Sequence, residues 1–407
     1  MSWRTLTIGD LVDAGAADIQ TGPFGTQLKA SDYVDEGTPV INVRNIGLGE
    51  LEPEKLEFVS EETSERLASH LLEQRDIVFG RKGAVDRHLY VRDEQANWLQ
   101  GSDCIRIRFL TNNVVPRFVS YSFLTDTHRK WMLAQSGNKA TMASLNHDII
   151  RRIALHLPAA TVQRTIVDIL TAYDDLIENN RRRVALLEEA ARHLYHEWFV
   201  RLRFPGHEHT HIVNGVPEGW ERKRLSDVAD VNKESLPGSF DGEIDYVDIS
   251  SVTPGSINET TRYDFKEAPS RARRVVKHGD IIWSCVRPNR KSYAVIWQPT
   301  SNLIVSTGFA VITPTALPTA YLLQATTTDA FVGYLENHAR GAAYPAVVAG
   351  DFERARVFMA RASLVGAFNE QAEPLLAQAN TLRLQIQRLR AARDLLLPRL
   401  LSEEIAV

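Results

Sequence analysis

The sequence is poor in cysteine and lacks any long apolar run. Its 407 residues include two cysteines, Cys104 and Cys285, and both fall inside short apolar stretches typical of strands. A membrane-spanning helix needs about 20 predominantly apolar residues, and a secretory leader needs a charged segment before an apolar core. We see neither pattern, so we expect no contact with a membrane and predict buried, reduced thiols in a cytoplasmic protein.

The motifs of common catalytic sites are absent too. The chain has no Gly-x4-Gly-Lys-Ser/Thr phosphate loop, no Gly-x-Gly-x-x-Gly after a strand and no Gly-x-Ser-x-Gly turn. It also lacks His-Glu-x-x-His, paired Cys-x-x-Cys and the Asp/Asn-Pro-Pro-Tyr/Phe of amino-methyltransferases. We therefore assign no catalytic residue, no metal site and no cofactor to this chain, and these absences favour a binding protein.

Charge gives a weaker constraint. The net charge of −4 argues against a protein that coats nucleic acid along its whole surface. Local basic patches remain compatible with this value, because binding depends on how the charge is distributed.

The main feature of the sequence is an internal duplication. Three segments of the first half have counterparts in the second half, namely Trp3-x4-Ile8-Gly9-Asp10-Leu11 with Trp220-x4-Leu225-Ser226-Asp227-Val228, Val40-Ile41-Asn42-Val43 with Tyr246-Val247-Asp248-Ile249, and Asp76-Ile77-Val78-Phe79 with Asp280-Ile281-Ile282-Trp283. The interval of about 200 residues is far longer than a solenoid repeat. Short β-type runs alternate with helical stretches in each half, so we predict two homologous domains of mixed α and β structure.

A different pattern closes each half. Apolar or core-compatible residues recur every seven positions on two interleaved tracks, which predicts a coiled-coil helix. In the first half the tracks are Ile166, Tyr173, Asn180, Leu187, Leu194 and Leu170, Ile177, Val184, Ala191, Trp198. In the second half they are Phe368, Leu375, Leu382, Leu389, Leu396 and Ala372, Ala379, Ile386, Arg393, Leu400. Asn180 is a polar seam residue of the kind that fixes register and partner orientation.

Two heptad helices in one chain most simply pack against each other. We therefore predict an α+β fold in which two homologous domains are separated by two long antiparallel coiled-coil helices, with pseudo-two-fold symmetry. The alternatives are that each helix packs on its own domain or that the helices pair between chains. Because proline breaks a helix beyond its first turn, we predict a short helix before Pro374 and a long one after it.

The predicted domain boundaries follow these changes of pattern. Residues 1–158 and 219–361 form the two homologous domains, and residues 159–203 and 362–407 form the two helical regions. Turn-forming and polar residues dominate positions 204–218, which predicts a linker.

Basic residues cluster in loops of both domains. Arg81-Lys82 and Arg287-x-Asn289-Arg290-Lys291 both follow the duplicated Asp-Ile strand, so the same loop is basic in each copy while its sequence differs. This is expected of two domains that read different DNA sequences, because Arg and Lys bind phosphates while Arg, Asn and Gln read base edges. The alternative interpretation is ordinary solvated loop charge.

Other loops add to the predicted DNA interface. The turn at Gly22-Pro23-Phe24-Gly25 would offer backbone amides, with Lys29, to a phosphate, although a purely structural turn is the alternative. The full set of predicted DNA-binding residues is Lys29, Arg44, Asn45, Arg81, Lys82, Arg87, Asn138, Lys139, Thr141, Arg287, Asn289, Arg290, Lys291, Arg340 and Tyr344.

The order of these features resembles the specificity subunit of type I restriction–modification systems, and the resemblance covers the whole chain. The residues that carry it are Gly22-Pro23-Phe24-Gly25-x2-Leu28-Lys29, Gly37-x-Pro39-Val40-Ile41, Asp76-Ile77-Val78-Phe79, Ser136-Gly137-x3-Thr141-Met142-x2-Leu145-Asn146, Leu157-Pro158, Leu194-Tyr195-x2-Trp198-Phe199-Val200, Pro217-Glu218-Gly219-Trp220 and Leu395-Leu396-Leu397-Pro398-Arg399-Leu400-Leu401-Ser402. Their order, their duplication and the heptad helices together are specific.

The resemblance implies a non-catalytic reader of double-stranded DNA. Two target-recognition domains would each read one half of a split, asymmetric site, while the paired helices set the spacer and dock methyltransferase subunits. A restriction subunit with motor and nuclease activity would join this complex, and S-adenosylmethionine, ATP and Mg would belong to the partners. Tyr195, Trp198 and Phe199 are candidates for binding the methyltransferase subunit, since aromatic residues favour interface cores. The alternative is that these rings pack inside the chain.

The second copy departs from the family pattern at one point. Gly341-Ala342-Ala343-Tyr344-Pro345-Ala346 stands where the first copy has Gly137–Met142, which weakens the assignment of DNA contacts around Tyr344. Two other hypotheses stay open. One is a coiled-coil scaffold with two protein-binding domains, and the other is a divergent nuclease that uses Asp264 and Lys266.

Overall fold

The structure, a computed structural model, describes residues 3–136, 144–402 and 404–405. The chain divides into two compact units, Met1–Ile177 with Gln387–Val407 and Glu178–Ile386. Each unit combines short strands and helices with one segment from each of two long helices. This mixed α+β architecture with two long helices confirms the predicted fold class.

The first unit contains eleven strands and five short helices among its described residues. The strands are β1 (Arg4–Thr7), β2 (Ala17–Thr21), β3 (Tyr33–Val34), β4 (Thr38–Ile41), β5 (Leu48–Gly49), β6 (Glu57–Val59), β7 (Ile77–Gly80), β8 (His88–Tyr90), β9 (Leu99–Gln100), β10 (Cys104–Phe109) and β11 (Ala154–Leu157). The short helices are α1 (Ile8–Asp13), α2 (Glu61–Arg66), α3 (Pro116–Phe123), α4 (Asp126–Ser136) and α5 (His147–Arg151). The first long helix, α6 (Ala160–Tyr195), begins in this unit and continues into the second.

The second unit follows a similar plan. A π-helical turn, His196–Val200, ends α6. The strands are β12 (Ile212–Val213), β13 (Val216–Pro217), β14 (Glu221–Arg224), β15 (Ala229–Val231), β16 (Glu243–Val247), β17 (Val252–Thr253), β18 (Ser256–Ile257), β19 (Thr261–Asp264), β20 (Ala272–Val275), β21 (Ile281–Ser284), β22 (Tyr293–Val295), β23 (Leu303–Ser306), β24 (Phe309–Pro314) and β25 (Arg356–Met359). The helices are α7 (Thr319–Thr327), α8 (Asp329–His338), α9 (Ala349–Arg354) and the second long helix, α10 (Ala362–Leu401).

The sheets of the two units share their central pairings. In the first unit the largest sheet has the order β2-β10-β7-β8-β5, and in the second the matching sheet has the order β15-β24-β21-β22. Each unit also pairs an early strand with its last strand, β1 with β11 and β14 with β25. The central strands β7 and β21 are buried along their whole length, as expected of apolar runs covered on both faces. The sequence duplication is therefore a duplication of topology.

The heptad tracks form the seam between the long helices. In the first unit, Ile166 and Leu170 of α6 are buried in the same core as Leu397 and Leu400 of α10, while Asp174 lies 2.7 Å from Arg393. Residues further along α6 thus contact residues that come earlier in α10, so the two helix segments run antiparallel.

The same direction holds in the second unit. Asn180 donates from Nδ2 to Oε1 of Gln385 at 3.4 Å, and the ring of Tyr195 lies 5.7 Å from that of Phe368. Asn180 is buried, so its amide stays paired on the seam, as a register-fixing residue requires.

The predicted break at Pro374 is wrong. α10 is one continuous helix, Ala362–Leu401, that includes Pro374 and Pro398. A proline inside a helix removes one backbone hydrogen bond and costs about 3 kcal/mol or more. Pro374 is exposed, while Ala372 and Leu376 beside it are buried in the core of the second unit. Burial of the flanking seam residues outweighs the lost hydrogen bond.

Both cysteines are free thiols in this structure. Burial raises the pKa of Cys104 to about 12 and that of Cys285 to about 11, so both stay protonated at neutral pH. In the described part of the chain, we find no helix whose length and apolar content suit a membrane crossing.

Asp174 joins three partners in the first unit. Its carboxylate accepts hydrogen bonds from Arg117 at 2.8 Å, from Tyr121 at 2.7 Å and from Arg393 at 2.7 Å. The side chains of Asp174 and Arg117 are 13% and 12% exposed, so water replaces these bonds poorly. The carboxylate therefore ties α3 and both long-helix segments together.

We expect Asp174→Leu to destabilise the chain by about 3 kcal/mol, because it leaves the partly buried Arg117 without its counter-charge and removes one of the two carboxylates that pair with Arg393. The measurement is the free energy of unfolding in urea. Asp175→Leu is the matched control, since Asp175 is exposed one position along the same helix, and it should change that free energy little. Equal effects of the two substitutions would contradict the role of Asp174.

Two histidines of the first unit lie wholly or largely inside the fold, His88 being fully buried and His128 half-buried. His88 pairs through Nε2 with Oγ of Ser120 at 2.9 Å, and His128 stacks on Phe123 at 4.4 Å. Among the described residues, Nδ1 of His88 and Nε2 of His128 have no hydrogen-bond partner. Burial lowers the pKa of His88 to about 3 and that of His128 to about 4, so both imidazoles are neutral in the folded chain at neutral pH.

This burial predicts acid sensitivity. Between pH 7 and pH 5 the unfolded chain takes up protons on both imidazoles near pKa 6.5, whereas the folded chain does not, so the free energy of unfolding falls as pH falls. We expect His128→Phe to make this decline shallower by at most about 1.4 kcal/mol per pH unit. Urea unfolding at several pH values measures the slope, and an unchanged slope in the variant would refute the assignment.

Candidate nucleic-acid interface

The two basic loops follow the matched strands β7 and β21. A buried aspartate precedes each strand: Asp76 accepts from the backbone N–H of Glu73 at 2.8 Å, and Asp280 accepts from that of Lys277 at 2.7 Å. Burial raises the pKa of Asp280. The same side-chain-to-backbone turn fixes the start of both strands, so the loops at their far ends leave the sheets at equivalent places.

In the first unit the loop is tied to the chain just before α5. The backbone N–H of Arg81 donates to the carbonyl of Asp103 at 2.7 Å, and the carbonyl of Arg81 accepts from Leu145 at 2.8 Å. Lys82 forms an antiparallel bridge with Ser144, and its ammonium lies 3.2 Å from the carboxylate of Asp103. Arg81 is half-buried, while Lys82 is exposed.

In the second unit the backbone repeats this attachment. The N–H of Cys285 donates to the carbonyl of Gly308 at 2.8 Å, and the carbonyl of Cys285 accepts from Val347 at 2.9 Å. Val286 bridges to Ala346. Cys285 therefore occupies the place of Arg81, and the basic residues of the second loop begin beyond it. The two basic runs correspond by strand, as predicted, but not residue by residue.

A short 3-10 turn carries the cations of the second loop. This turn, Pro288–Arg290, lies between Arg287 and Lys291, whose φ angles of 50° and 51° place both in the left-handed region. Non-glycine residues rarely adopt this conformation. Asn289 and Arg290 are exposed at the turn, and the ammonium of Lys291 lies 3.0 Å from the carboxylate of Asp329.

A second loop adds to this surface. Arg340 and Ala346 exchange backbone hydrogen bonds of 2.8 and 2.9 Å, which closes the segment between them into a hairpin, with Gly341 at φ 101°. The guanidinium of Arg287 lies over the ring of Tyr344 at 4.6 Å from its centroid. The structure thus brings the 3-10 turn and the hairpin together. We call the group formed by Arg287, Asn289, Arg290, Lys291, Arg340 and Tyr344 the second-unit basic cluster.

The corresponding segment of the first unit is described only in part. Arg87 is exposed beside Asp86, whose carboxylate accepts from the guanidinium of Arg129 at 2.8 Å. The predicted contacts at Asn138, Lys139 and Thr141 lie outside the described residues.

The prediction of a DNA contact at Asn45 is wrong for this structure. Asn45 is fully buried. Its amide donates to the carbonyls of Glu52 and Glu54 at 3.1 Å each, and its Oδ1 accepts from the backbone N–H of Asn42 at 3.1 Å. Because the amide nitrogen and the amide oxygen of Asn45 are both hydrogen-bonded inside the fold, neither group is left to contact a base. Arg44 beside it is exposed but forms an ion pair with Glu57.

The turn at Gly22–Gly25 uses two of its amides inside the chain. The backbone N–H of Gly22 donates to the carbonyl of Cys104 at 2.9 Å, and that of Phe24 donates to Oε1 of Gln27 at 3.0 Å. These bonds favour the alternative of a structural turn, while the phosphate contact stays a prediction. Lys29 is exposed, and its side chain remains a predicted contact.

The three predicted partner-binding aromatics lie in a core. Tyr195, Trp198 and Phe199 are 5%, 9% and 2% exposed. The ring of Phe199 lies 4.8 Å from that of Tyr321 and 5.3 Å from that of Phe368. The structure favours the alternative that these rings pack inside the chain, because they fill the core of the second unit. Their predicted contact with a methyltransferase subunit stays a prediction.

The residues of the nuclease hypothesis are engaged with each other and with a neighbour. The carboxylate of Asp264 accepts from the backbone N–H of Lys266 at 3.0 Å, and the ammonium of Lys266 lies 3.0 Å from Asp241. Within residues 3–136, 144–402 and 404–405, no three His, Cys, Asp or Glu side chains are grouped to hold a metal ion. The structure gives this hypothesis no further support.

Sequence reasoning missed the groups that orient the second-unit basic cluster. Asp329 pairs with Lys291, and the carbonyls of Ala343 and Pro345 accept hydrogen bonds from Arg287. The Thr328-Asp329 pair is a recognisable helix start. Its position beside Lys291 depends on tertiary packing, which no local pattern contains.

Comparison with known proteins shows what the chain is similar to. Residues 2–189 match the family described as Type I restriction modification DNA specificity domain. The first half of the chain is therefore similar to the DNA specificity domain of type I restriction–modification systems. Among curated specificity subunits, the chain is 24% identical over 312 residues to the type I restriction enzyme MjaIX specificity subunit of Methanocaldococcus jannaschii, which covers 73% of this chain and 70% of the relative.

Two further specificity subunits are similar to the chain. The type I restriction enzyme HindI specificity subunit of Haemophilus influenzae is 26% identical over 136 residues, which covers 33% of this chain and 29% of the relative. The crystal structure of a type I restriction–modification system S subunit from M. genitalium has a TM-score of 0.60 at 13% identity, and covers 98% of this chain and 96% of that one. At this identity the structural match establishes the fold alone.

Proposed function

We propose that this chain is the specificity subunit of a type I restriction–modification system, that it binds double-stranded DNA and that each of its units reads one half of a split, asymmetric site. In the first unit the reading loop follows β7, and in the second unit it follows β21. The single observation that carries the proposal is the duplicated backbone attachment of these loops, through Arg81 and Cys285, combined with cations that differ in identity and position.

The physical argument rests on what the loops share and what they do not. A fixed backbone attachment places a loop reproducibly, while different side chains on it present different donors. Exposed cations such as Lys82, Arg87 and Arg290 suit phosphates, which position a protein without reading sequence. Arginine and asparagine side chains suit base edges, which carry the sequence information. Two loops of this kind support two unrelated half-sites.

The proposal extends to the assembly. We propose that the paired helices set the length of the unread spacer and dock methyltransferase subunits, and that a restriction subunit joins this complex in the cytoplasm. Because Tyr195, Trp198 and Phe199 are buried, we place the docking surface on other residues of the helices. Leu186 and Leu384, which are 66% and 47% exposed, are suitable apolar side chains for it. Methyl transfer and cleavage, with S-adenosylmethionine, ATP and Mg, would belong to the partners.

The test is to co-express the chain with the methyltransferase subunit encoded beside it and to map the modified adenines in the host DNA. We expect one split motif with two unrelated halves separated by a fixed number of unread base pairs. The methyltransferase subunit alone is the control, and it should leave the motif unmodified. If the complex forms but modifies no defined motif, the proposal fails and the scaffold hypothesis gains support.

A further inference from the structure

Arg287 of the second-unit basic cluster is held by the neighbouring hairpin through both its backbone and its side chain. Its guanidinium stacks over Tyr344 at 4.6 Å from the ring centroid. Nη2 donates to the carbonyl of Ala343 at 3.3 Å, and the backbone N–H donates to the carbonyl of Pro345 at 2.7 Å. The backbone itself is left-handed, with φ 50°. Backbone, guanidinium plane and one edge of the guanidinium are thus all fixed by the hairpin.

This fixation has an energetic consequence. A free arginine loses side-chain entropy when it binds, which weakens the contact. An arginine stacked on an aromatic ring has already lost part of that freedom, and its planar fork keeps donors directed along one edge. A left-handed φ is unfavourable for a non-glycine residue and tends to persist where the geometry serves a function. The arrangement is therefore preorganised for a planar acceptor pair.

The partner ring points to the same conclusion. Tyr344 is 69% exposed, although aromatic rings of this size are mostly buried in folded proteins. Its contact with Arg287 leaves most of the ring open to a ligand. An exposed ring that holds an oriented arginine is typical of a binding surface and not of a core.

We propose that Arg287 and Tyr344 form one reading unit for a guanine in the half-site of the second unit. Arg287 donates two hydrogen bonds to the O6 and N7 acceptors of the guanine, the commonest arginine contact to a base, and Tyr344 is the positioning residue that sets the guanidinium plane. A phosphate contact needs no defined plane, so the stacking favours a base. The inference rests on the proposed function, since it requires that the second unit bind duplex DNA.

The test uses the full chain in complex with its methyltransferase subunit, selected against a library of random duplexes and sequenced. Arg287→Ala and Tyr344→Leu should each reduce the preference for guanine at the same single position, Arg287→Ala by about 5- to 150-fold. Tyr344→Phe keeps the ring and should retain the preference. Because the two residues act as one unit, adding Tyr344→Leu to Arg287→Ala should cause no further loss at that position.

Arg222→Ala is the matched control. Arg222 also stacks on an aromatic ring of the second unit, that of Phe358 at 4.9 Å, but it lies on β14, outside the basic cluster, so its removal should leave the motif unchanged. The half-site read by the first unit checks folding within each experiment, because an unfolded variant would lose it as well.

Three results would overturn the inference. The first is a loss of affinity in Arg287→Ala that is uniform across sequences, because this would mark a phosphate contact. The second is an unchanged motif, and the third is that Arg287→Ala and Tyr344→Leu act at different positions of the motif. In each of these cases the wild-type complex still selects a split motif, so the proposed function survives. If the wild-type complex selects no motif, the proposed function itself fails.

Discussion

The antiparallel seam between α6 and α10 is the constraint on which the rest of the structure depends. Neither unit has a complete core without it. In the first unit, Ile166 and Leu170 meet Leu397 and Leu400 inside the core, and in the second unit Phe199 packs against Phe368. Removing either helix segment would expose large apolar side chains, each worth about 1.5–3 kcal/mol when buried. The seam therefore belongs to the core of both units.

Because the seam completes the core of each unit, the loops after β7 and β21 can differ between the two copies. The stability of each unit comes from the sheets and the seam, so the loops after β7 and β21 need only their backbone attachments. In the second unit these attachments tolerate two left-handed residues, Arg287 and Lys291. Strain of this kind persists only where the surrounding structure fixes it, and here the hairpin from Arg340 to Ala346 holds Arg287, while Asp329 pairs with Lys291.

The sequence predicted well whatever depends on periodicity. The heptad tracks mark buried seam positions such as Leu170, Ile177 and Ala379, and the Asp-Ile repeats mark the central strands, because both patterns reflect burial along one element. Pro374 was misjudged because a local rule on helix breaking ignores the packing on either side. Asn45 was misjudged for a related reason. Sequence alone does not distinguish a polar or aromatic side chain that serves the core from one that faces a ligand.

The candidate site was predictable as a set of loops and not as a geometry. A basic loop after a duplicated strand is visible in the sequence, whereas the stacking of Arg287 on Tyr344 joins residues far apart in the chain. The departure of the second copy at Gly341–Ala346 weakened the assignment of Tyr344 from sequence. That segment is instead the hairpin that holds Arg287. Where the two copies differ, tertiary contacts decide what the residues do.

The most direct test changes the length of the paired helices and leaves the two basic loops unchanged. One heptad of seam residues is inserted into α6 after Ile177 and one into α10 after Ile386, which preserves the period of seven, and the motif of the methyltransferase complex is mapped. Seven helical residues span about 10 Å at 1.5 Å per residue, or roughly three base pairs of B-DNA. The account predicts both half-motifs unchanged and the unread spacer longer by about that number. An unchanged spacer, or altered half-motifs, would contradict it.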